Sequence, residues 1–131
     1  PIHSETASSL NSLASTYKMI GRYAEALPLF QRALVVCEKE LGPGHPDMAV
    51  GLGNVACLYK GTGLYAEALP LFKRALEIDE KELGPDHPKT AASLINLAVL
   101  NLAMGRHGSA LPLQERALSI RERICPRCMA E

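Results

Sequence analysis

Cys125 and Cys128 stand in "CPRC", the spacing with which one half of a zinc knuckle holds its ion. A structural zinc site takes four ligands, and neither a second Cys-x2-Cys nor a nearby His-x3-His accompanies this pair. His3, His45 and His87 recur 42 residues apart, a spacing that spreads them along a periodic molecule instead of gathering them on one ion. No metal and no cofactor is expected. "KGTG" at Lys60–Gly63 lacks the G-x4-G-K-[ST] order of a phosphate loop and follows no strand pattern. Nucleophile elbow and H-E-x-x-H are both missing, so the histidines read as helix-start and joint residues. The chain reads as a non-enzyme, and the elements around these residues carry the rest of the argument.

The 131 residues are 47% hydrophobic, enough for a buried core. Aromatics make up 5%, without Trp, while Ala and Leu abound, a diet suited to close helix packing and poor for sheets. Fourteen basic residues balance 14 acidic ones. No basic tract suggests nucleic acid, and no long apolar run suggests membrane insertion. The four cysteines, Cys37, Cys57, Cys125 and Cys128, do not keep register with the repeat described next. Reduced thiols in a cytoplasmic setting are expected rather than a disulfide framework. Pro1 opens the chain, which reads as a fragment whose ends report nothing on targeting.

"YAEALPLFQRAL" from Tyr23 returns as "YAEALPLFKRAL" from Tyr65 and, worn, as "HGSALPLQERAL" from His107. Gly21–His45 and Gly63–His87 share 19 of 25 positions. Each copy holds two helical patterns. In the first, Ala7, Leu10, Leu13, Ala14 and Tyr17 form one stripe of a helix, as do Ala49, Leu52, Val55, Ala56, Tyr59 and Ala91, Leu94, Leu97, Ala98, Asn101. In the second, Ala26, Phe30, Ala33, Leu34, Cys37 and Leu41 do the same.

Gly21, Gly63 and Gly105 sit where the first helix must stop and turn. The joints "LGPGHPD" and "LGPDHPK" stop the second helix and place Pro46 and Pro88 in the first turn of the next. Pro28, Pro70 and Pro112 fall inside the second helix, where a kinked or loosened start is expected. The runs "CEKEL" and "DEKEL" read as a solvated outer face, with Glu77 and Lys81 as an i, i+4 pair. A helix pair of this kind cannot bury both stripes alone. Stacking three pairs does so and leaves one curved inner wall. The expectation is an all-α solenoid of three units, about 3–44, 45–86 and 87–124, forming a single domain over 1–131 with a tail at 125–131. "PIHS" aligns with the joints and is expected to be linker, while Gln114, in the place of Phe30 and Phe72, suits a capping unit.

The frame resembles the tetratricopeptide repeat, with its W-x2-L-G-x2-Y and A-x3-F pattern. Leu10, Leu52 and Leu94 fill the Trp slot, Ala14, Ala56 and Ala98 the small slot, and Tyr17, Tyr59 and Asn101 the Tyr slot. Ala26–Phe30 and Ala68–Phe72 satisfy A-x3-F, whereas Ala110 is followed by Gln114. The period of 42, with "LGPDHP" and "LINLA", is similar to the kinesin light chain type of array. That resemblance implies a right-handed α-solenoid of helix-turn-helix units whose first helices line a concave groove.

It also implies a protein-binding adaptor or scaffold whose partner is a protein or peptide. In such arrays an Asn on the first helix grips the backbone of an extended peptide, and the matching series here is Ser12, Asn54 and Asn96, with Asn11 beside Ser12. A carboxamide donates and accepts, so it can bond peptide groups irrespective of sequence. It could equally bond across to the next unit. Cys57 and Val99, with Ser8, Val50, Ala92 and Ser15, would shape small apolar pockets along the groove. Lys18 and Lys60 would favour an acidic ligand, or serve only the helix dipole. The alternative function is an architectural spacer or self-association module of a larger signalling or NTPase protein.

Overall fold

The computed structural model describes residues 2–124, with side chains from residue 6 onward. Six helices follow one another: α1 (Ile2–Met19), α2 (Tyr23–Leu41), α3 (Pro46–Gly61), α4 (Tyr65–Glu82), α5 (Pro88–Ala103) and α6 (His107–Ile124). No strand occurs among the described residues. Each odd helix pairs with the next even one, and α2 then packs on α3 and α4 on α5. The result is three stacked hairpins, an α-solenoid.

The turn within each hairpin is built the same way three times. Gly21, Gly63 and Gly105 adopt φ of 82°, 81° and 78°, a left-handed conformation that costs a residue with a Cβ. Arg22, Leu64 and Arg106 then donate their N–H to the carbonyls of Tyr17, Tyr59 and Asn101 at 2.8, 2.8 and 2.7 Å. This is the Schellman closure, which satisfies carbonyls the helix end would otherwise strand. The joints also repeat. His45 and His87 are extended N-caps whose Nδ1 accepts from the N–H of Asp47 and Lys89 at 3.1 and 3.0 Å. Pro46 and Pro88 follow at the first helical position, where a missing N–H costs nothing.

Packing obeys the same period. Ala14, Ala26, Phe30, Val55 and Leu58 form one buried cluster across α1, α2 and α3. Their counterparts Ala56, Ala68, Phe72, Leu97 and Leu100 form another across α3, α4 and α5. Between these lie Met48, Ala49, Leu52, Ala75 and Ile78, matched by Ala91, Leu94, Ala117 and Ile120. Phe30 and Phe72 reach from one unit into the next and are 2% and 1% exposed. Burial of each stabilises the stack by about 1.5–3 kcal/mol.

Four expectations are corrected. Residues 2–4 are helical, not linker, because Ser4 stands where Pro46 and Pro88 set the start of their helices. Leu13 belongs to the core stripe by register but is 47% exposed, while Val55 and Leu97 are 3% and 6% exposed under the preceding unit. Pro28, Pro70 and Pro112 leave their helices unbroken; the residues four before them, Ala24, Ala66 and Gly108, whose carbonyls lose a donor, are exposed, so water can replace it. Glu77 and Lys81 form no ion pair, as expected where solvent competes with an interaction worth a few tenths of a kcal/mol. Ion pairs between units are instead Arg116 with Glu80 at 3.1 Å and Arg123 with Asp86 at 2.6 Å.

Candidate functional site

Among the described residues α3 also meets α5, and no two second helices approach each other to the same degree. Curvature brings together the elements on its inner side; α3 and α5 meet in this way, whereas α1 and α3 do not to the same degree. On α3 the buried stripe takes Leu52, Val55 and Ala56; Asn54 falls between them in sequence and turns away from that core.

Asn54, Asn96 and Cys57 line one cleft of about 220 Å³ between α3 and α5, together with Val50, Ala92, Asp79, Ser93 and Lys89. Asn54 is half-buried and Asn96 exposed. Neither carboxamide is engaged with another described residue, which leaves both free to donate and accept. The cleft is smaller than the roughly 300–1,000 Å³ of small-molecule pockets. It suits side chains of a segment lying along the wall.

The other expected residues do not gather there. Asn11 lines a separate cleft of about 290 Å³ with Ser8, Cys37, Asp47, Val50 and Gly51, and its Oδ1 is buried without a partner. Ser12 is exposed, and its carbonyl accepts from the Thr16 hydroxyl at 3.1 Å. Lys18 and Lys60 stand in the last turns of α1 and α3, where the helix dipole favours a cation. Val99 is 38% exposed. Neither lysine nor Val99 lines either cleft. Cys125 and Cys128 lie outside the described residues; among those described, no group of three metal-ligating side chains forms.

One member of the second cleft contradicts its sequence reading. Asp79 opens the run "DEKEL", expected to be solvated, yet is only 4% exposed. Ser93 donates its hydroxyl to Asp79 Oδ2 at 2.6 Å, joining α5 to α4. The signal was available: Asp79 is the register mate of Cys37, a member of the core stripe, and Ser93 is the mate of Gly51. Burial pushes the Cys37 thiol above its ordinary pKa, and the nearby Asp47 carboxylate adds to the rise.

The family model for the tetratricopeptide repeat matches residues 5–81 and 58–123. Curated proteins gave no significant match. Among solved structures, BtubC (BKLC) from P. vanneervenii is 25% identical with a TM-score of 0.83, over 89% of this chain and 46% of its own. A Podosopora anserina protein described as a kinesin light chain with nearly identical TPR-like repeats is 28% identical with a TM-score of 0.77, over 90% of this chain and 56% of its own. A variant of it matches at 0.83, with 28% identity, over 93% and 57%. The chain thus spans about half the length of these neighbours. Periodic hairpins, repeated caps and these likenesses agree: the chain belongs to the tetratricopeptide repeat family, in the array form of the kinesin light chain type, a fold that serves protein–protein interaction.

Proposed function

We propose that this segment is a non-catalytic adaptor that holds an extended peptide of a partner protein along its first-helix wall. The supporting observation is the pair of unengaged carboxamides, Asn54 and Asn96, one unit apart in a single cleft. A peptide backbone supplies both N–H and C=O, so two such amides fix its direction without reading its sequence. A cargo-binding role like that of a kinesin light chain, in a cytoplasmic setting with free thiols at Cys37 and Cys57, is the version this fits.

The test uses a peptide selected from a random-sequence display library on the whole chain. Asn54→Ala with Asn96→Ala should weaken its binding about tenfold or more, since each lost bond contributes about 0.5–1.5 kcal/mol. Circular dichroism checks that the fold persists. Unchanged affinity removes both residues from the site.

A second reading, end-to-end self-association, has its own support. Leu111 and Leu118 are 56% and 57% exposed, whereas their mates Leu27, Leu69, Leu34 and Leu76 pack on the core beside the following unit. Leu13 on α1 is 47% exposed as well, so the first and third hairpins each carry apolar surface that another copy could cover. Sedimentation over a range of concentrations decides it: a monomer throughout counts against this reading.

A further inference from the structure

The buried carboxylate of Asp79 has only half its bonding accounted for. Oδ2 takes the Ser93 hydroxyl at 2.6 Å, while Oδ1 is closed from solvent and accepts from no described residue. A carboxylate has room for several donors on its two oxygens, and one without them in a low-dielectric wall is rarely left so. The residue lines the same cleft as Asn54 and Asn96. Lys89 lines it too but forms no ion pair with Asp79.

No other unit repeats this arrangement. Cys37 occupies the matching place beside Gly51 in the first cleft, and Arg121, exposed, holds it in the third unit. Among the described residues a buried carboxylate therefore occurs at one level of the wall only, since Asp47 in the first cleft is exposed.

We propose that Asp79 is the selectivity point of the groove and accepts a lysine or arginine side chain of the bound peptide. This rests on the groove reading and deepens it, and it runs opposite to the acidic ligand that Lys18 and Lys60 suggested. The terminal torsion of an aspartate is broad and nearly two-fold. A small turn presents Oδ1 to an ammonium or guanidinium lodged between Asn54 and Asn96, while Oδ2 keeps Ser93. Charge-assisted bonds of this kind are the strong ones, and a single fixed cation per peptide would set register along a wall that otherwise reads only backbone.

The test selects peptides from a random-sequence display library on the wild-type chain and on Asp79→Asn, which keeps the shape and an acceptor for Ser93. The wild-type pool should carry Lys or Arg at one fixed position, and the variant pool should not. Replacing that residue by Gln in a selected peptide should cost wild type about tenfold in Kd, as loss of a charge-assisted bond implies, and the variant little. A wild-type pool with no fixed basic position overturns the proposal while leaving the groove intact. An equal Gln penalty in both proteins does the same. Peptides whose binding ignores Asn54→Ala with Asn96→Ala overturn the groove reading itself. If Asp79→Asn fails to fold, the wild-type pool and its Gln peptide still decide.

Discussion

Two clefts one unit apart are assembled from matching places: Ala7 and Ala49, Ser8 and Val50, Cys37 and Asp79, Asp47 and Lys89, Gly51 and Ser93. The frame around them hardly varies, because the buried positions that set helix spacing are Ala, Leu and Phe in both, save Val55 in the place of Leu97. The chemistry does vary. In the first cleft a thiol on α2 sits near a carboxylate at the start of α3. In the second a carboxylate on α4 shares the space with a lysine at the start of α5. The first opens beside Asn11, the second between Asn54 and Asn96. A stack of near-copies separates two tasks by position: places shared with the neighbouring unit are held to one size, and places on the wall are free to differ.

The shared frame is tested by Phe30→Ala and Phe72→Ala. Each should destabilise by about 3–5 kcal/mol in urea unfolding, because each empties a closely packed inter-unit site. A large disparity between them would break the equivalence of the two clusters. Next comes the exchange of chemistry. Cys37→Asp alone should destabilise by about 1–3 kcal/mol, as it half-buries a carboxylate without the donor Asp79 has. Adding Gly51→Ser should restore part of that. The restoration is incomplete, since a Cβ at Gly51 would lie 2.8 Å from Leu34 Cδ1, whose flexible end must move aside.

A smaller effect belongs to the joints, where His45→Ala and His87→Ala should each cost about 1 kcal/mol through loss of an N-cap acceptor. Unequal losses would show that the caps differ more than their bond lengths do. The smallest is kinetic. Because burial and Asp47 raise the Cys37 pKa, less of it is thiolate at a given pH. Iodoacetamide at pH 8 should modify it more slowly than free N-acetylcysteine, as read by peptide mass mapping.

Most of this architecture was legible in the letters because periodic positions do periodic work. Glycines at the turns, histidine–proline pairs at the joints and the two phenylalanines all act through contacts within a unit or with its immediate neighbour. Misreadings arose where local pattern and stacking disagree. Asp79 looked solvated because its neighbours Glu80, Lys81 and Glu82 are charged, yet the three-dimensional register placed it at the Cys37 level, under α5. Leu13 looked buried because its mates are, but Val55 and Leu97 are covered by the preceding hairpin, and none of the described residues covers Leu13 in that way. Lys18 and Lys60 matched the groove by helix face, yet stand beyond the clefts at the helix ends. Whether an asparagine faces an open cleft depends on the size of its neighbours, and Val50, Gly53 and Ala92 leave the space that Asn54 and Asn96 line.

The claim that a ligand lies along the first-helix wall is tested most directly by following asparagine and glutamine side-chain amide resonances as a library-selected peptide is added. The account predicts that Asn54 and Asn96 shift together, at the same peptide concentration, while Gln31 on the exposed face of α2 stays in place. Shifts at Gln31 with Asn54 and Asn96 unmoved would contradict it and put the binding surface on the other side of the array.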